Sequence, residues 1–552
     1  MHERAGEIAQ IQDLINVDEL LNAYYENEPD INIPTQLVSF GTSGHRGCSL
    51  DSTFNEAHIV AITQAIVEYR KNNNITGPLF LGRDTHPLSE PAFITALQVL
   101  LSNDVKVIID KSSAFTPTPV ISHAILRANT DESENVDFSK PDLADGIVIT
   151  PSHNPPKDGG FKYNPPHGGP ADGTITKVIA ERANEILRSG WKSVEKLPES
   201  QVITHSNLGK SDLRGDYISD LGNIIDFNII REKNIKIGVH PLGGASVEYW
   251  EEIAKYYNIN LTVIDPVIDP TWAFMPLDWD GAIRMDCSSP YAMRTLTDTV
   301  KKENYDIGVG NDADADRHGI VTVDGLMNPN HYLAVAVEYL SNNRPLWKAE
   351  SKIGKTLVSS SLIDRVCEKS GKELFEVPVG FKYFTNGLLD GSIIFCGEES
   401  AGATFLRHNG KIWTTDKDGL IMGLLAAEIM AKTGLTPSQF HKEQTRKYGE
   451  TNYARIDEKI SKEGKVKLLN LVPDNVKSTT LGSDEIKHIL VKAPGDNQPI
   501  GGLKITTENA WITIRPSGTE DVYKIYAESF KGAEHLKEIQ AEAKEIVDSI
   551  LG

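Results

Sequence analysis

Short apolar runs alternate with helical patterning over most of the 552-residue chain. The runs PLFLG (78–82), VKVIID (105–110), GIVIT (146–150), IKIGVH (235–240) and IGVG (307–310) are too brief for helices. Between them, apolar residues recur at three- and four-residue intervals, so strand and helix alternate as in α/β units. The last hundred residues read differently. GLKIT, WITI and YKIYAESF are closely spaced strand candidates, followed by a helix with Leu536, Ile539, Ala543, Ile546, Val547 and Ile550 on one face. That pattern predicts an antiparallel α+β unit. Polar or Gly/Pro-rich breaks fall near 204–211, 323–329 and 433–441. The expected fold is therefore α/β: three successive mixed α/β sandwich domains (1–205, 206–323 and 324–440) plus a smaller C-terminal α+β domain (441–552) around a central cleft. No low-complexity tract and no repeat at the level of residue identity is present.

Composition narrows the class. Hydrophobic residues at 39% and charged residues at 24% exclude a disordered or collagen-like chain. The longest apolar candidate, 420–427, is followed at once by Glu428 and falls short of the ~18–20 residues that cross a bilayer. The N-terminus has no basic region leading into an apolar core, so no signal peptide and no membrane partner are expected. Four cysteines, Cys48, Cys287, Cys367 and Cys396, lie far apart without CxxC spacing. A reducing, cytoplasmic setting fits them best. The net charge of −21 argues against a nucleic-acid surface. It also repels anions, so any anionic substrate needs a site built locally from Arg, Lys and backbone N–H groups.

The strongest local signal is Asp312-Ala-Asp314-Ala-Asp316-Arg317. Carboxylates at i, i+2 and i+4 repel by about 3 kcal/mol per adjacent pair at ~6 Å and an effective dielectric near 20. A hard divalent cation removes that cost, and short-loop oxygen ligands suit Mg²⁺. A calcium-binding EF-hand does not fit, since its sixth position would be Arg317 rather than Gly. A solvated acidic loop would show the same DxDxD. The Ala spacers and the apolar runs on both sides place the loop at a sheet mouth and favour metal.

Ser152 follows GIVIT in the loop TPSHNPPKDGGFK, stiffened by Pro151, Pro155 and Pro156. A serine held this way can be a nucleophile, although in isolation such a serine is more often a turn residue. The hydrolase elbow GxSxG is missing, and the adjacent His153 is poorly placed to be its base. Gly397-Glu398-Glu399-Ser400-Ala-Gly402 offers carboxylates and a hydroxyl that could read a sugar diol. Arg515-Pro-Ser517-Gly518-Thr519 could form a phosphate nest with its guanidinium, hydroxyls and backbone N–H groups. Two further loops, around Thr42-Ser43-Gly-His45-Arg46 and Gly380-Phe-Lys382, add cationic groups.

Together these segments resemble the α-D-phosphohexomutase superfamily, in particular its bacterial glucose-phosphate branch. The resemblance is carried by TPSHNPPKDGGFKYNPPHGGPA, IRMDCSSPYAM, DRHGIV, VPVGFKYF, CGEESAGATFLR, TTDKDG and IRPSGTEDVYKIYAESF, in that order, from about Ser39 to the end. It implies reversible interconversion of glucose 1-phosphate and glucose 6-phosphate. Ser152 then stands at the family's phosphoserine. Asp312, Asp314, Asp316 and the phosphoserine bind one Mg²⁺ per chain, and glucose 1,6-bisphosphate is the intermediate and activator. By the same resemblance Glu398 and Ser400 contact the sugar, and Arg515, Ser517, Gly518 and Thr519 hold the non-reacting phosphate. Lys162 and Arg46 lie near the reacting hydroxyl, with Lys162 the proton-transfer group. As a base, Lys162 would need a pKa lowered by burial beside cations. Thr42, Ser43, His153, Arg317 and Lys382 complete the substrate-facing set.

Two departures stand out. Ala313 replaces a glycine found in many relatives, and no histidine follows the sugar loop, which favours the glucose-phosphate branch. The partners implied are hexose phosphates, and the protein would be a monomer or homodimer. The alternatives are a broader phosphohexomutase acting also on mannose or glucosamine phosphates, an Asp-nucleophile phosphatase that uses DxD and leaves Ser152 dispensable, and a non-catalytic sugar-phosphate binder.

Overall fold

The computed structural model describes residues 1–41, 44–517 and 522–552. The chain separates into two compact units. One comprises Met1–Met327 with Ser400–Thr436, and the other Asn328–Glu399 with Pro437–Gly552.

The first unit holds two mixed sheets. The seven-stranded sheet runs in the order Phe40–Gly41, Gly44–Cys48, Asp158–Asn164, Asp145–Ile149, Leu79–Arg83, Val107–Asp110, Leu208–Ser211. The last four strands in this order are parallel neighbours, and Asp158–Asn164 turns antiparallel against Asp145–Ile149. Leu79, Leu81, Val107, Ile147 and Ile149 are buried in a core shared with helices Glu56–Asn72, Ser89–Ser102 and Gly173–Ser189. Continuous apolar runs are what strands covered on both faces require.

The five-stranded sheet runs Gly325–Leu326, His318–Thr322, Ile307–Asn311, Ile237–His240, Leu261–Val263. Ile307–Asn311 is parallel to Ile237–His240 but antiparallel to His318–Thr322. Residues 312–317 are therefore the turn of a hairpin, with Asn311 opposite His318.

The apolar stretch 420–427 lies in helix Gly419–Thr433, which packs against both of these hairpin strands. Residues 419–429 are all buried, which explains an apolar pattern with no polar face. Asp418 caps the helix by accepting from Leu420 N and Ile421 N (3.0 and 3.2 Å), and Gly434 ends it at φ 74°. Burial raises the Asp418 carboxyl to about 6 even though Trp413 Nε1–H and Tyr217 O–H donate to it.

The N-terminal residues do more than the sequence pattern suggested. Gly6 N and Ala9 N donate to Leu277 O and Met275 O (2.7 and 3.0 Å). Helix Val17–Glu26 then buries Leu20 and Tyr24 in the core of the seven-stranded sheet, where Tyr24 O–H donates to Thr95 (3.0 Å).

In the second unit, strands Leu374–Val377, Lys352–Thr356 and Ile393–Gly397 lie side by side and parallel. The C-terminal part is an antiparallel sheet in the order Asn452–Lys459, Val522–Ser529, Ala510–Pro516, Pro499–Thr506, His488–Lys492. Helix Ala533–Leu551 covers it, burying Leu536, Ile539, Ala543 and Val547 with Ile546 and Ile550 at the margin. Three of the five strands were predicted. Asn452–Lys459 and His488–Lys492 were not, because as the outer strands they carry charged and half-exposed residues. Lys504 on one of the sheet's strands donates to Glu376 of the parallel set (2.7 Å), which Lys355 also faces at 3.4 Å. A buried ion network thus runs through the second unit.

Among the described residues no single helix is long and apolar enough to cross a membrane. All four cysteines are free and buried.

His58 gives the first unit an acid-sensitive joint. Its Nδ1 accepts from Asn55 N–H (3.1 Å), so its Nε2 carries the proton and faces Gln36 O at 2.9 Å. Burial, then His45, lower its pKa to about 3. The unfolded chain takes up a proton near pH 6.5 that the folded chain refuses until about 3, so stability falls as pH drops through that window. Each such proton is worth about 1.4 kcal/mol per pH unit. His58→Gln should flatten the pH dependence of urea-unfolding free energy between pH 6 and 4 by about one proton. An unchanged slope would refute this.

Candidate active site

The turn 312–317 gathers the acids. Ala315 N donates back to Asp312 O (3.0 Å), and Ala315 itself sits in the left-handed region at φ 55°. Asn311 closes the turn: its side chain donates to Arg317 O (2.9 Å) and is fixed by Trp250 Nε1–H (2.9 Å). Helix Gly419–Thr433 abuts from the other side, with Gly419 N donating to Ala315 O (2.9 Å). A Cβ at Gly419 would lie 2.0 Å from Arg317 O, so only glycine allows this approach. The result brings ligand oxygens of Asp312, Asp314 and Asp316 within 4.8 Å of one another, all buried.

Ser152 arrives from the other sheet. Thr150 N donates to Gly160 O (2.9 Å), and a Cβ at Gly160 would meet Thr150 O at 2.1 Å. The loop is thereby pinned to the neighbouring antiparallel strand. Ser152 has φ 62° and is fully buried, and its Oγ–H donates to Asp312 Oδ2 at 2.7 Å. Among the described residues no hydrogen bond joins His153 to it. Burial and then Arg317 push the His153 imidazole well below the ordinary histidine value.

Cations surround the cluster. Lys162 Nζ donates to Asp314 Oδ2 (2.6 Å) and Asp316 Oδ2 (3.1 Å). Lys417 Nζ lies 3.0 Å from Asp316 Oδ2. Arg317 Nε stands 3.7 Å from Asp316 Oδ1 and 3.9 Å from Asp312 Oδ2. Arg46 donates to Asn154 Oδ1 (3.1 Å), and burial followed by Arg317 lowers its pKa.

The acids respond unequally. Burial, Asp314 and Asp316 raise the Asp312 carboxyl well above the carboxylate range. Burial opposes the charge on Asp316 too, but Lys162, Lys417 and Arg317 hold it below that range. Burial likewise penalises charged Lys162, yet Asp314, Asp316 and Asp416 more than offset it and raise its pKa. The environment that a lysine base needs is therefore not the one found. Its charge neighbours are chiefly acids, and Lys162 is an ammonium donor here.

The donor set fits a hard cation. Asp314 Oδ1 and Asp316 Oδ1 are buried without a hydrogen-bond partner among the described residues. Three converging carboxylates with two uncommitted oxygens are the ligand chemistry of an all-oxygen divalent site. Ala313 has no left-handed backbone, so alanine is accommodated there without strain.

Ser400 belongs to the first unit, half-buried beside the same loop: Ala401 O accepts from His318 N (3.1 Å), and Gly402 bridges Arg317. Glu398, Lys382, Arg515 and Ser517 belong to the second unit. There Glu398 accepts from Gly380 N (3.1 Å), and Lys382 Nζ lies over the Tyr383 ring at 5.3 Å. Arg515 Nε has no hydrogen-bond partner among the described residues. Thr42, Ser43, Gly518 and Thr519 lie outside the described residues.

Several site neighbours escaped the sequence reading. Thr118 donates to Asp314 Oδ2 (2.5 Å), and Lys417 pairs with Asp316. Lys417 lies in TTDKDG, where nothing in the local spacing ties it to the acidic turn. Thr118, at a helix start, carried no signal at all.

Four stretches match phosphoglucomutase/phosphomannomutase domains: residues 37–189 the alpha/beta/alpha domain I, 215–325 domain II, 328–448 domain III and 471–546 the C-terminal domain. A phosphoglucomutase of Komagataeibacter xylinus is 53% identical over 547 residues, covering 99% of this chain and 97% of that one. The chain belongs to this family. Phosphoglucomutase 1 of Drosophila melanogaster is 28% identical, with 71% of this chain and 70% of that protein covered. Among solved structures, Paramecium parafusin has a TM-score of 0.73 at 21% identity, covering 95% of this chain and 96% of that one. A family member from Burkholderia thailandensis has a TM-score of 0.70 at 18% identity, covering 94% and 98%. Both share the fold.

Titration of the phosphoglucomutase-family protein with Mg²⁺ or Mn²⁺ should raise its melting temperature, because a ligand bound only by the folded state stabilises it. Asp312→Asn should remove most of that increment. An equal increment in both proteins would show that the cluster does not hold the ion.

Proposed function

We propose that this chain is a phosphoglucomutase that interconverts α-D-glucose 1-phosphate and glucose 6-phosphate through a phosphoserine at Ser152 and a glucose 1,6-bisphosphate intermediate. The observation that carries the reading is Ser152 Oγ, 2.7 Å from Asp312 in a three-carboxylate cluster with uncommitted oxygens. A hydroxyl nucleophile placed at an oxygen-rich cation site is what reversible phosphoryl storage needs. A phosphoserine adds roughly −1.5 to −2 charges, and only a site with its own counter-charge tolerates that beside three aspartates.

Asp312, Asp314, Asp316 and the phosphoserine would hold one Mg²⁺ per chain. When bound, it supplies charge neutralisation of the acidic loop and polarisation of the phosphoryl group. The chain's own residues do the rest. Phospho-Ser152 gives its phosphoryl group to the free hydroxyl of a bound hexose monophosphate, breaking the Oγ–P bond and forming a sugar O–P bond. The bisphosphate reorients, and Ser152 Oγ takes the other phosphoryl group back. Each transfer moves one proton from the attacking hydroxyl to the oxygen that the phosphoryl group leaves. Lys162 is the proposed carrier, giving its proton first and regaining it from the attacker. Its position against Asp314 and Asp316 supports the donor half of that role. Arg46, Arg317 and Lys382 are proposed to offset substrate charge, with His153, Thr42 and Ser43 as further contacts.

The sugar-reading role of Glu398 and Ser400, and the phosphate-holding role of Arg515, Ser517, Gly518 and Thr519, rest on family resemblance. So does the division into four domains, which the four family matches support. Free thiols and a protein acting on hexose phosphates suit the cytoplasm.

After incubation with glucose 1,6-bisphosphate, phosphopeptide mapping should find stable phosphate on Ser152. Ser152→Ala should lower mutase turnover at least about 10³-fold. Full phosphate-releasing activity in the variant without the serine would favour an aspartyl phosphatase instead. Arg515→Ala should raise KM while leaving Ser152 phosphorylation largely possible, and the reverse pattern would remove the phosphate-clamp role. Glucose 1-phosphate should turn over faster than mannose 1-phosphate. Equal rates would support the broader phosphohexomutase.

A further inference from the structure

Beneath the Ser152 loop lies a buried polar cluster to which the mutase reading assigns no role. Asp84 follows strand Leu79–Arg83 and is fully buried. Its Oδ1 accepts from His86 N (3.0 Å) and Ser89 Oγ (2.6 Å). Its Oδ2 accepts from Thr150 Oγ1 (2.6 Å) and faces His86 Nδ1 at 2.8 Å. The Thr150 hydroxyl in turn accepts from Ser152 N–H at 2.8 Å. The other ring nitrogen, His86 Nε2, lies 3.0 Å from Asn154 O. Both partners of the imidazole are acceptors, a carboxylate and a carbonyl, so both nitrogens donate and His86 is an imidazolium. Trp272 packs its ring 4.8 Å from that of His86 and closes the cluster from behind.

The loop is thus gripped twice. Thr150 holds the amide of Ser152 from one side, and His86 holds the carbonyl of Asn154 from the other. Between the two grips Ser152 keeps φ 62°, a conformation that residues other than Gly, Asn and Asp seldom adopt. A serine released from that backbone would relax towards negative φ and swing its Oγ away from Asp312. Asn154 also presents its side chain to Arg46 (3.1 Å), so the same grip sets the place of a substrate-facing cation.

We propose that Asp84, acting through the Thr150 hydroxyl and the His86 imidazolium, is the positioning residue that holds the serine loop in its left-handed conformation and aims Ser152 Oγ at the carboxylate cluster. Thr150 and His86 are its two arms. The proposal rests on the reading of Ser152 as the phosphoryl carrier, and it adds that the carrier is aimed by a charge pair buried beneath the loop.

The test compares Thr150→Val, which keeps the shape and removes the hydroxyl, with Thr150→Ser, which restores it. Thr150→Val should lower kcat on glucose 1-phosphate by about 10²-fold, the effect of a small misplacement of a reacting group. KM should stay within about twofold, and single-turnover phosphorylation of Ser152 by glucose 1,6-bisphosphate should slow by the same factor as kcat. Thr150→Ser should recover most of the loss. His86→Gln, which keeps one donor, serves as a second probe if the valine variant fails to fold, and should show the same split between kcat and KM. A Thr150→Val enzyme within threefold of wild type would overturn the proposal. So would a loss shared by kcat, KM and unfolding midpoint that serine does not rescue. Wild-type turnover of glucose 1-phosphate tests the mutase reading separately. Even with an inactive wild type, crystal structures would decide the positioning claim: Ser152 φ should leave the positive region in Thr150→Val, and an unchanged φ would refute it.

Discussion

Asp312, Asp314 and Asp316 bring three carboxylate oxygens within 4.8 Å of one another, with all three side chains buried. Burial makes their repulsion worse, because the field between them is screened less there than in bulk solvent. Much of the first unit's polar architecture answers that constraint. Lys162, Lys417 and Arg317 stand at its edge, Thr118 occupies one oxygen of Asp314, and Ser152 occupies one of Asp312. Among the described residues Asp314 Oδ1 and Asp316 Oδ1 have no hydrogen-bond partner, which leaves oxygens that could receive a cation. The net charge of −21 makes this local supply of cations more pointed. A chain that repels anions as a whole concentrates its positive groups where an anion must be held.

The same constraint recasts Lys162. From sequence alone it was a candidate base that would need cationic company. In the structure its ammonium donates to two carboxylates, so its nearest company is acidic rather than cationic. Its chemistry follows from which side of the acidic loop it faces. Spacing along the chain could not reveal that, because the Lys162 strand and the 312–317 turn belong to different sheets.

What was legible in the sequence was local. The i, i+2, i+4 carboxylates read directly, because a short turn between two strands brings such a triplet together whatever the rest of the fold does. The stripe from Leu536 to Ile550 read equally well, since the face of a helix is set by its own period. The serine loop stood out through its prolines. Contacts between distant segments did not show. Thr118 reaches Asp314 from the start of a helix 196 residues away in sequence. Asp84 and Thr150, 66 residues apart, meet only because parallel pairing sets Leu79–Arg83 beside Asp145–Ile149. Edge strand Asn452–Lys459 was hidden by its charged residues. The contact units also divide the chain at 327/328, 399/400 and 436/437, and none of the predicted breaks falls at the middle cut.

The alanines of the acidic turn show why a departure from family pattern has to be judged on backbone geometry. By the family resemblance glycine is the expected residue at 313, yet the φ of Ala313 is not left-handed and a methyl group fits without strain. The left-handed residue of the turn is its neighbour, Ala315, at φ 55°. The close approach at Ala313 is relieved from the other side. Ala245 N donates to Ala313 O at 2.7 Å, which draws the two backbones so near that a Cβ at Gly244 would lie 2.6 Å from Ala313 Cα. The glycine this contact needs is therefore at 244, in a different loop from the acids it supports. A substitution at Gly244 should disturb the acidic turn more than the alanine already present at 313. The freedom that the turn requires is supplied by the surface packed against it as well as by the turn's own residues.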